Sequence, residues 1–521
     1  MLTYATLILF CLATWGMTFV LPSGFIPNED QGMIYVNVDA PPGATLERSE
    51  AALNKVQAAL LPLEEVETIS TLAGYSLMTE TEGASFGMGM INLTPWDQRE
   101  QTAAELMSVY ADRVAHIKDA DIQFFLPPTV PGFGNASGFE LRLQDKTAGT
   151  FAELDEVAKN FVAKLNADPR LTGVTSGFNP NFPQYMLNID AAACKKAGIS
   201  PSDILTTLQG YYGGLYASNF NSFGKMYRVM VQAEPDATKN LESLQSIKVR
   251  NGSEMAPITQ FVSIEKIYGP DVISRFNLYT SMKVMVAPAS GYTSGQALQA
   301  IAEVAQQNLP AGFGYELGGM AREEAQTSSS TTGLIFVLCF VFVYLLLSAQ
   351  YESYILPLAV LLSIPFGLLG SFLFVNGASA IGSVPALKMI IGSMSNDIYM
   401  QIALIMLMGL LAKNAILIVE FALDRRKMGM SITWAAVLGA AARLRPILMT
   451  SLAMIVGLLP LMFASGAGAN GNRTLGTSAI GGMLIGMILQ IFIVPALFVA
   501  FQYLQEKFKP MEWDDVDNSD A

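Results

Sequence analysis

The sequence predicts a polytopic α-helical membrane protein of six spans that carries a large α+β domain outside the cytoplasm. Three observations predict it. Six apolar segments are long enough to cross a bilayer. About 300 residues between the first and second of them alternate between strand and helix patterns. The composition is 51% hydrophobic and only 14% charged, against roughly 25% charged in soluble domains.

The segments cover residues 2–21, 333–349, 354–375, 398–423, 447–464 and 475–501. The first reads as a retained span. No Lys or Arg precedes it, it has no small-x-small cleavage site, and its apolar stretch exceeds a signal-peptide core. Arg425, Arg426, Lys427, Arg443 and Arg445 lie between the fourth and fifth spans, and Lys507 and Lys509 follow the sixth. The positive-inside bias puts both regions in the cytoplasm. Residues 22–332 then form one extracytoplasmic domain, and 504–521 an acidic cytoplasmic tail.

Within that domain, Met33–Val38 predicts a strand and 46–60 a helix, joined by Ala40-Pro41-Pro42-Gly43 with Thr45 at the capping position. The pattern recurs at Met282–Val286, Ala287-Pro288, Gly291, Thr293 and a helix near 296–307. Such repetition predicts related β-α-β lobes. A third unit runs from Phe139–Leu143 through a helix at 151–166 and past Thr175. A β-rich insertion occupies about 185–268, and Ser200-Pro201 inside it is a helix start.

Lys413 lies in the middle of the fourth span, where a lysine costs roughly 3 kcal/mol without a partner. No apolar segment holds an Asp or Glu at similar depth. Glu420 is seven residues on, about 10 Å along the same helix, beside Asp424 and the basic cluster. The counter-charge for Lys413 is therefore expected from another polypeptide. Asn414 follows Lys413. Arg443 and Thr450, seven apart, share a face if the fifth helix runs through Pro446, as a first turn allows. Lys413, Asn414, Arg443 and Thr450 are thus candidate proton-relay positions; the alternatives are a Thr450 hydroxyl bonded to its own helix and an Arg443 that serves as a positive-inside anchor. Gly482 and Gly486 on the last span permit close helix packing.

Other chemistries are disfavoured. His116 is the single histidine, which leaves no His-based metal site or Ser-His-Asp triad. Cys11, Cys194 and Cys339 suggest no disulfide framework. The net charge of −13 argues against a nucleic-acid partner. No catalytic constellation is present, so the chain is not expected to be an enzyme. Tyr75, Leu77, Met78, Phe86, Met88 and Met90 surround the glycine-rich stretch 83–89. Such residues suit either the packed core of a strand or an adaptable apolar pocket whose glycines let a loop move.

Two long stretches carry a resemblance: 409–421, GLLAKNAILIVEF, and 443–451, RLRPILMTS. So do 21–32, LPSGFIPNEDQG, and 349–353, AQYES. Through them the chain resembles multidrug efflux pumps of the resistance–nodulation–division superfamily, hydrophobe/amphiphile efflux (AcrB-type) branch, over the C-terminal half of that architecture only. The resemblance implies a proton-driven antiporter of the inner membrane with no cofactor beyond the proton gradient. Its relay would fall on Lys413, Arg443 and Thr450, opposite two aspartates of an N-terminal half absent here. It implies ferredoxin-like porter lobes in the periplasm, at 29–138 and at 139–184 with 270–325, a docking insertion at 185–269, and spans 2–6 within 333–503. The implied partners are the N-terminal half, a trimer of complete units, a periplasmic adaptor, an outer-membrane channel, membrane lipid and small hydrophobic drugs. Phe124 and Phe178 join the pocket residues as implied substrate contacts. Phe178 and Lys283 stand where the family often has Arg and Glu, so charge selectivity should differ. The loop 376–396 is expected to be longer than the family's. An uncoupled orphan half that binds apolar ligands, or a protein-export accessory subunit, are the alternatives.

Overall fold

The computed structural model describes residues 2–508 apart from 22, 235–237, 239–240, 253, 290–291, 327–328 and 383–393. The apolar run after the first residue forms α1 (Leu2–Val20). Period-two patterning in β1 (Met33–Asp39) then puts Ile34, Val36 and Val38 on one face, and all three are buried. There follow α2 (Leu46–Leu60), β2 (Val66–Ser76), β3 (Thr81–Leu93), α3 (Ala103–Val114) and β4 (Asp121–Phe125). The strands form one antiparallel sheet in the order β2-β3-β1-β4. Helices α2 and α3 cover one face, burying Leu53, Val56, Leu106 and Tyr110 against Ile34, Val36 and Ile91. Thr102 and Glu105 close a reciprocal cap on α3. Thr45 takes the cap position of α2, but its side chain makes no capping bond.

The second lobe repeats this order with an interruption. It comprises β5 (Phe139–Asp145), α4 (Phe151–Asn166) and β6 (Leu171–Ser176). After the insertion come β13 (Ser274–Phe276), β14 (Tyr279–Pro288), α7 (Ser294–Asn308) and β15 (Phe313–Gly318). The sheet runs β13-β14-β5-β15, with β6 also on β14, every pairing antiparallel. With β5, β6, β14 and β15 standing for β1 to β4, the two sheets have the same strand order. The β-α units at Phe139 and Met282, which the local pattern reads one by one, thus share one sheet. Thr150 and Thr293 cap α4 and α7 through the same Thr-x-x-Glu/Gln device.

The chain divides into two compact units, one of Met1–Phe178 with Val272–Ala521, the other Asn179–Asp271. The smaller unit pairs β7 (Phe182–Ile189) with β12 (Val262–Gly269). Between them lie α5 (Ala191–Ala197), α6 (Pro201–Leu208), the hairpin β8 (Leu215–Ser222) and β9 (Lys225–Val231), and the hairpin β10 (Lys248–Asn251) and β11 (Glu254–Pro257). Asp190 and Ser200 cap α5 and α6. The β8–β9 hairpin leaves Tyr216, Phe220, Phe223, Met226 and Met230 exposed.

After α8 (Gly319–Gln326), the remaining helices are α9 (Ser329–Tyr351), α10 (Leu356–Leu361), α11 (Ile364–Gly382), α12 (Ile398–Lys427), α13 (Ile432–Met462) and α14 (Ala469–Phe508). Among the described residues five helices are long and apolar enough to cross a membrane, α10 and α11 counting together. The expected loop 376–396 shrinks, since α11 runs to Gly382 and 383–393 lie outside the described residues. The basic segment before the fifth span is also shorter than expected. Helix α13 begins at Ile432, so Arg443 and Arg445 are helical, and Pro446 sits in the helix interior rather than in a first turn. The tail from 509 onward lies outside the described residues. Helices α11 and α14 approach closely: a Cβ on Gly370 would stand 2.7 Å from the Gly481 carbonyl oxygen, and one on Gly482 3.0 Å from that of Gly367.

The first lobe is tied to the last span through two adjacent acids. Glu29 accepts the backbone N–H groups of Asn470 (3.0 Å) and Gly471 (2.8 Å) in the first turn of α14. Asp30 accepts from Gly32, from Ala103 and from the fully buried Arg99 guanidinium at 2.7 Å. These bonds and Arg99 hold Asp30 below the usual carboxylate range, although burial alone pushes it up.

At the far end of β1, burial pushes the Asp39 carboxyl up to about 6, and Asp121, its cross-strand neighbour, adds to the rise. A raised native pKa means that this stabilisation is complete below the unfolded value near 3.8 and is lost as pH rises through about 6. Asp39→Asn should therefore leave thermal stability near pH 4 almost unchanged and raise it at pH 7.5, by about 3 kcal/mol at most. Melting curves of both proteins across that range check it; equal destabilisation at both pH values would contradict it.

Candidate functional site

A cleft opens where the two lobes meet. It is lined by Leu77 and Met78 at the β2–β3 tip, Phe125 at the end of β4, Asn135 and Ala136 in the connection between lobes, and Lys283 and Met285 on β14. Its cavity volume is only about 10 Å³. Drug-sized pockets run from roughly 300 to 1,000 Å³, so no drug-sized space is open there.

The hairpin tip is held on both sides. Asn37, fully buried on β1, accepts from the Leu77 N–H (3.0 Å) and the Ser76 hydroxyl (3.3 Å) and donates to Asp39 (2.9 Å). On the second-lobe side Met78 and Thr79 lie over Gly177, where any Cβ would meet Thr79 Cγ2 at 2.7 Å. Glu80 sits at φ 60°, a left-handed conformation that non-glycine residues adopt at a cost. Its carboxylate accepts from Lys283 Nζ at 2.6 Å.

The structure brings only two of the expected pocket residues, Leu77 and Met78, into the cleft wall. Phe124 faces the other way: it packs on the α2/α3 core, edge-on to Tyr110 at 6.2 Å. Its neighbour Phe125 takes the cleft, because alternate strand residues face opposite sides. Phe178 packs against the core of the second lobe. Tyr75, Phe86 and Met88 lie along the hairpin outside that lining, and Met90 is exposed. Gly83, Gly87 and Gly89 lie within β3 rather than in a moving loop. Gly87 and Gly89 make room instead for Leu53 and Val36, which a Cβ would meet at 2.7 and 2.8 Å. Sequence reasoning missed Asn135, Ala136 and Met285, since only the assembled lobes bring them together.

In the helices, Asn414 is buried and its amide donates to Ser451 at 3.0 Å. The neighbours Lys413 and Thr450 therefore sit at the same level on α12 and α13. Both are exposed on the helix surface. Lys413 shares its exposed stripe with Ile402, Gly409 and Glu420. No carboxylate among the described residues pairs with Lys413. Thr450 spends its hydroxyl on its own helix, donating towards the carbonyls of Pro446 (3.1 Å) and Ile447 (3.3 Å). The Arg443 guanidinium lies 3.5 Å above the Phe421 ring, its Nε buried without an acceptor. The chain alone thus sets out these four residues without joining them into one network.

Comparison with known proteins gives a consistent result. The family model described as the AcrB/AcrD/AcrF family matches residues 1–502. The chain is 37% identical over 507 residues to the toluene efflux pump membrane transporter TtgB of Pseudomonas putida, covering 96% of this chain and 46% of that protein. The multidrug/solvent efflux pump membrane transporter MepB, also of Pseudomonas putida, gives the same identity and coverage. Multidrug resistance protein MdtF of Escherichia coli is 32% identical over 514 residues, 96% of this chain and 48% of its own length. The chain spans about half the length of the curated relatives it matches. On the family match across nearly its whole length, and with a lobe-and-helix architecture that agrees, this chain is a multi-pass membrane protein that belongs to the AcrB/AcrD/AcrF family of efflux transporters.

Proposed function

We propose that the chain is the C-terminal half of a proton-driven efflux transporter of the resistance–nodulation–division type, which exports hydrophobic and amphiphilic compounds from the inner membrane. The observation that carries this is Lys413: a lysine deep in an apolar helix, exposed on its surface, with no carboxylate partner among the described residues. An N-terminal half bearing acidic residues at that depth supplies the missing charge. Proton binding to those acids weakens their pairing with Lys413, and that change in pairing biases the conformation of the lobes. Asn414, Arg443 and Thr450 act beside it, Asn414 by fixing α12 against α13.

In this proposal α1 is the first of six spans. Both lobes are ferredoxin-like and periplasmic, a reading supported by their shared β-α-β-β-α-β order. The substrate path passes the cleft at Leu77, Met78 and Phe125. The unit Asn179–Asp271 docks towards an adaptor and an outer-membrane channel. The apolar β8–β9 hairpin suits contact with a neighbouring unit of a trimer, as an exposed patch of aromatic and Met side chains usually marks an interface.

Expressed alone in a pump-deficient strain, the 521 residues should give no active dye efflux, because the relay lacks its acids. Dye accumulation checks this, and robust efflux from the chain alone would sink the half-transporter proposal. Joined to an N-terminal half, Lys413→Met should abolish transport while the complex still assembles, since the acids then hold their protons more tightly. Drug efflux beside size-exclusion profiles decides it; near-normal efflux in the variant would make the lysine merely structural.

A further inference from the structure

One feature of the cleft wall is unlike the rest of its lining. Leu77, Met78, Phe125 and Met285 are apolar, and Lys283 stands among them with only 9% of its side chain exposed. Lys283 lies directly across from Arg142 in the β14–β5 pairing. Like charges directly opposite destabilise a sheet, so the pair calls for carboxylates. Glu140, also on β5, supplies one, but it is committed to Arg142, whose Nε donates to it at 2.6 Å; its distance to Lys283 is 3.5 Å. The close partner of Lys283 is Glu80, at 2.6 Å, from the strained hairpin tip.

Glu80 and Glu140 differ in how they are held. Glu140 is a strand residue with a side chain 10% exposed, whereas Glu80 is 45% exposed at the end of a turn. The cleft is too small for a drug-sized ligand as it stands, so a ligand enters only if the tip gives way. Glu80 then leaves Lys283. What remains beside the apolar wall is two cations, Lys283 and Arg142, sharing one carboxylate. An anionic group placed there restores the balance that Glu80 provided.

We propose that Lys283 is the specificity-determining residue of the cleft, which favours amphiphiles carrying a carboxylate or sulfonate, and that the Glu80 carboxylate occupies the place of that anion in the empty protein. The apolar body of the ligand lies on Leu77, Phe125 and Met285, and the Asn135 amide is within the same lining as a further polar contact. This rests on the proposed function of the cleft as a ligand site.

Two dyes of similar ring size and opposite charge test it: fluorescein, an anion, and rhodamine 6G, a cation. The full chain is reconstituted in nanodiscs of neutral lipid, and affinities are read by fluorescence anisotropy. Glu80→Gln should tighten fluorescein binding by about threefold, the scale of a partly exposed ion pair. Lys283→Gln should weaken it by roughly tenfold, the scale of a lost charge-assisted hydrogen bond. Rhodamine 6G should be unaffected or shift in the opposite sense in both variants. Leu77→Ala, which trims the apolar wall without touching charge, should weaken both dyes alike. If Leu77→Ala weakens both dyes but the charge variants treat them equally, the cleft binds ligands and the anion preference is overturned. If none of the three substitutions alters either dye, the cleft is not the ligand site and both proposals fall. Circular dichroism of each variant confirms that the comparison is between folded proteins.

Discussion

A single uncompensated charge organises the membrane part of this molecule. The helix α12 is apolar for most of its length, and placing Lys413 at its centre costs roughly 3 kcal/mol unless something answers the charge. Nothing in the described residues does. The helix nonetheless packs well on its other side, where Asn414 bonds Ser451 and where Gly439 of α13 leaves no room for a Cβ beside Ala422. Lys413 thus points away from a well-made helix pair. In the proposed transporter that outward direction faces the acids of the N-terminal half, so the cost is offset only on assembly.

The connection from membrane to lobes is short and polar. Glu29 caps the forty-residue α14, while Asp30, the next residue, holds Arg99 and the start of α3. A displacement of α14 would therefore reach the first lobe through two adjacent residues. From there the sheet leads to the cleft through β1, whose buried Asn37 binds the hairpin tip at Leu77. The tip is the only part of the β2–β3 hairpin engaged with the second lobe by an ion pair among the described residues, through Glu80 and Lys283.

Much of the fold is legible in the sequence because local signals agree with tertiary demand. The helix expected at 46–60 is α2, and Thr293, expected to cap the helix near 296–307, does so in a reciprocal cap with Gln296. The strand alternation in Met33–Val38 is matched by the burial of Ile34, Val36 and Val38. The sequence fails where register or partnership decides. Phe124 and Phe125 are equally apolar, and only the pairing Val36↔Phe124 puts the first in the core and the second in the cleft. Gly87 and Gly89 look like hinge residues in isolation, but they answer to Leu53 and Val36. The merging of two distant β-α units into one sheet depends on β14 lying beside β5, a contact between residues about 140 apart that no local pattern encodes. Hydropathy marked the apolar part of α13 well, yet it could not show that the helix starts fifteen residues before its apolar run.

Thermal unfolding of Lys413→Leu puts the unanswered charge to the test. The variant and the unaltered protein are compared in nanodiscs of neutral lipid, once as the chain alone and once joined to an N-terminal half. The substitution should raise the melting temperature of the chain alone, by taking a lone charge out of an apolar span, and lower that of the assembled transporter, where the acids lose their partner. A rise in both states would contradict this, because the outward face of α12 would then meet no acid at the level of Lys413.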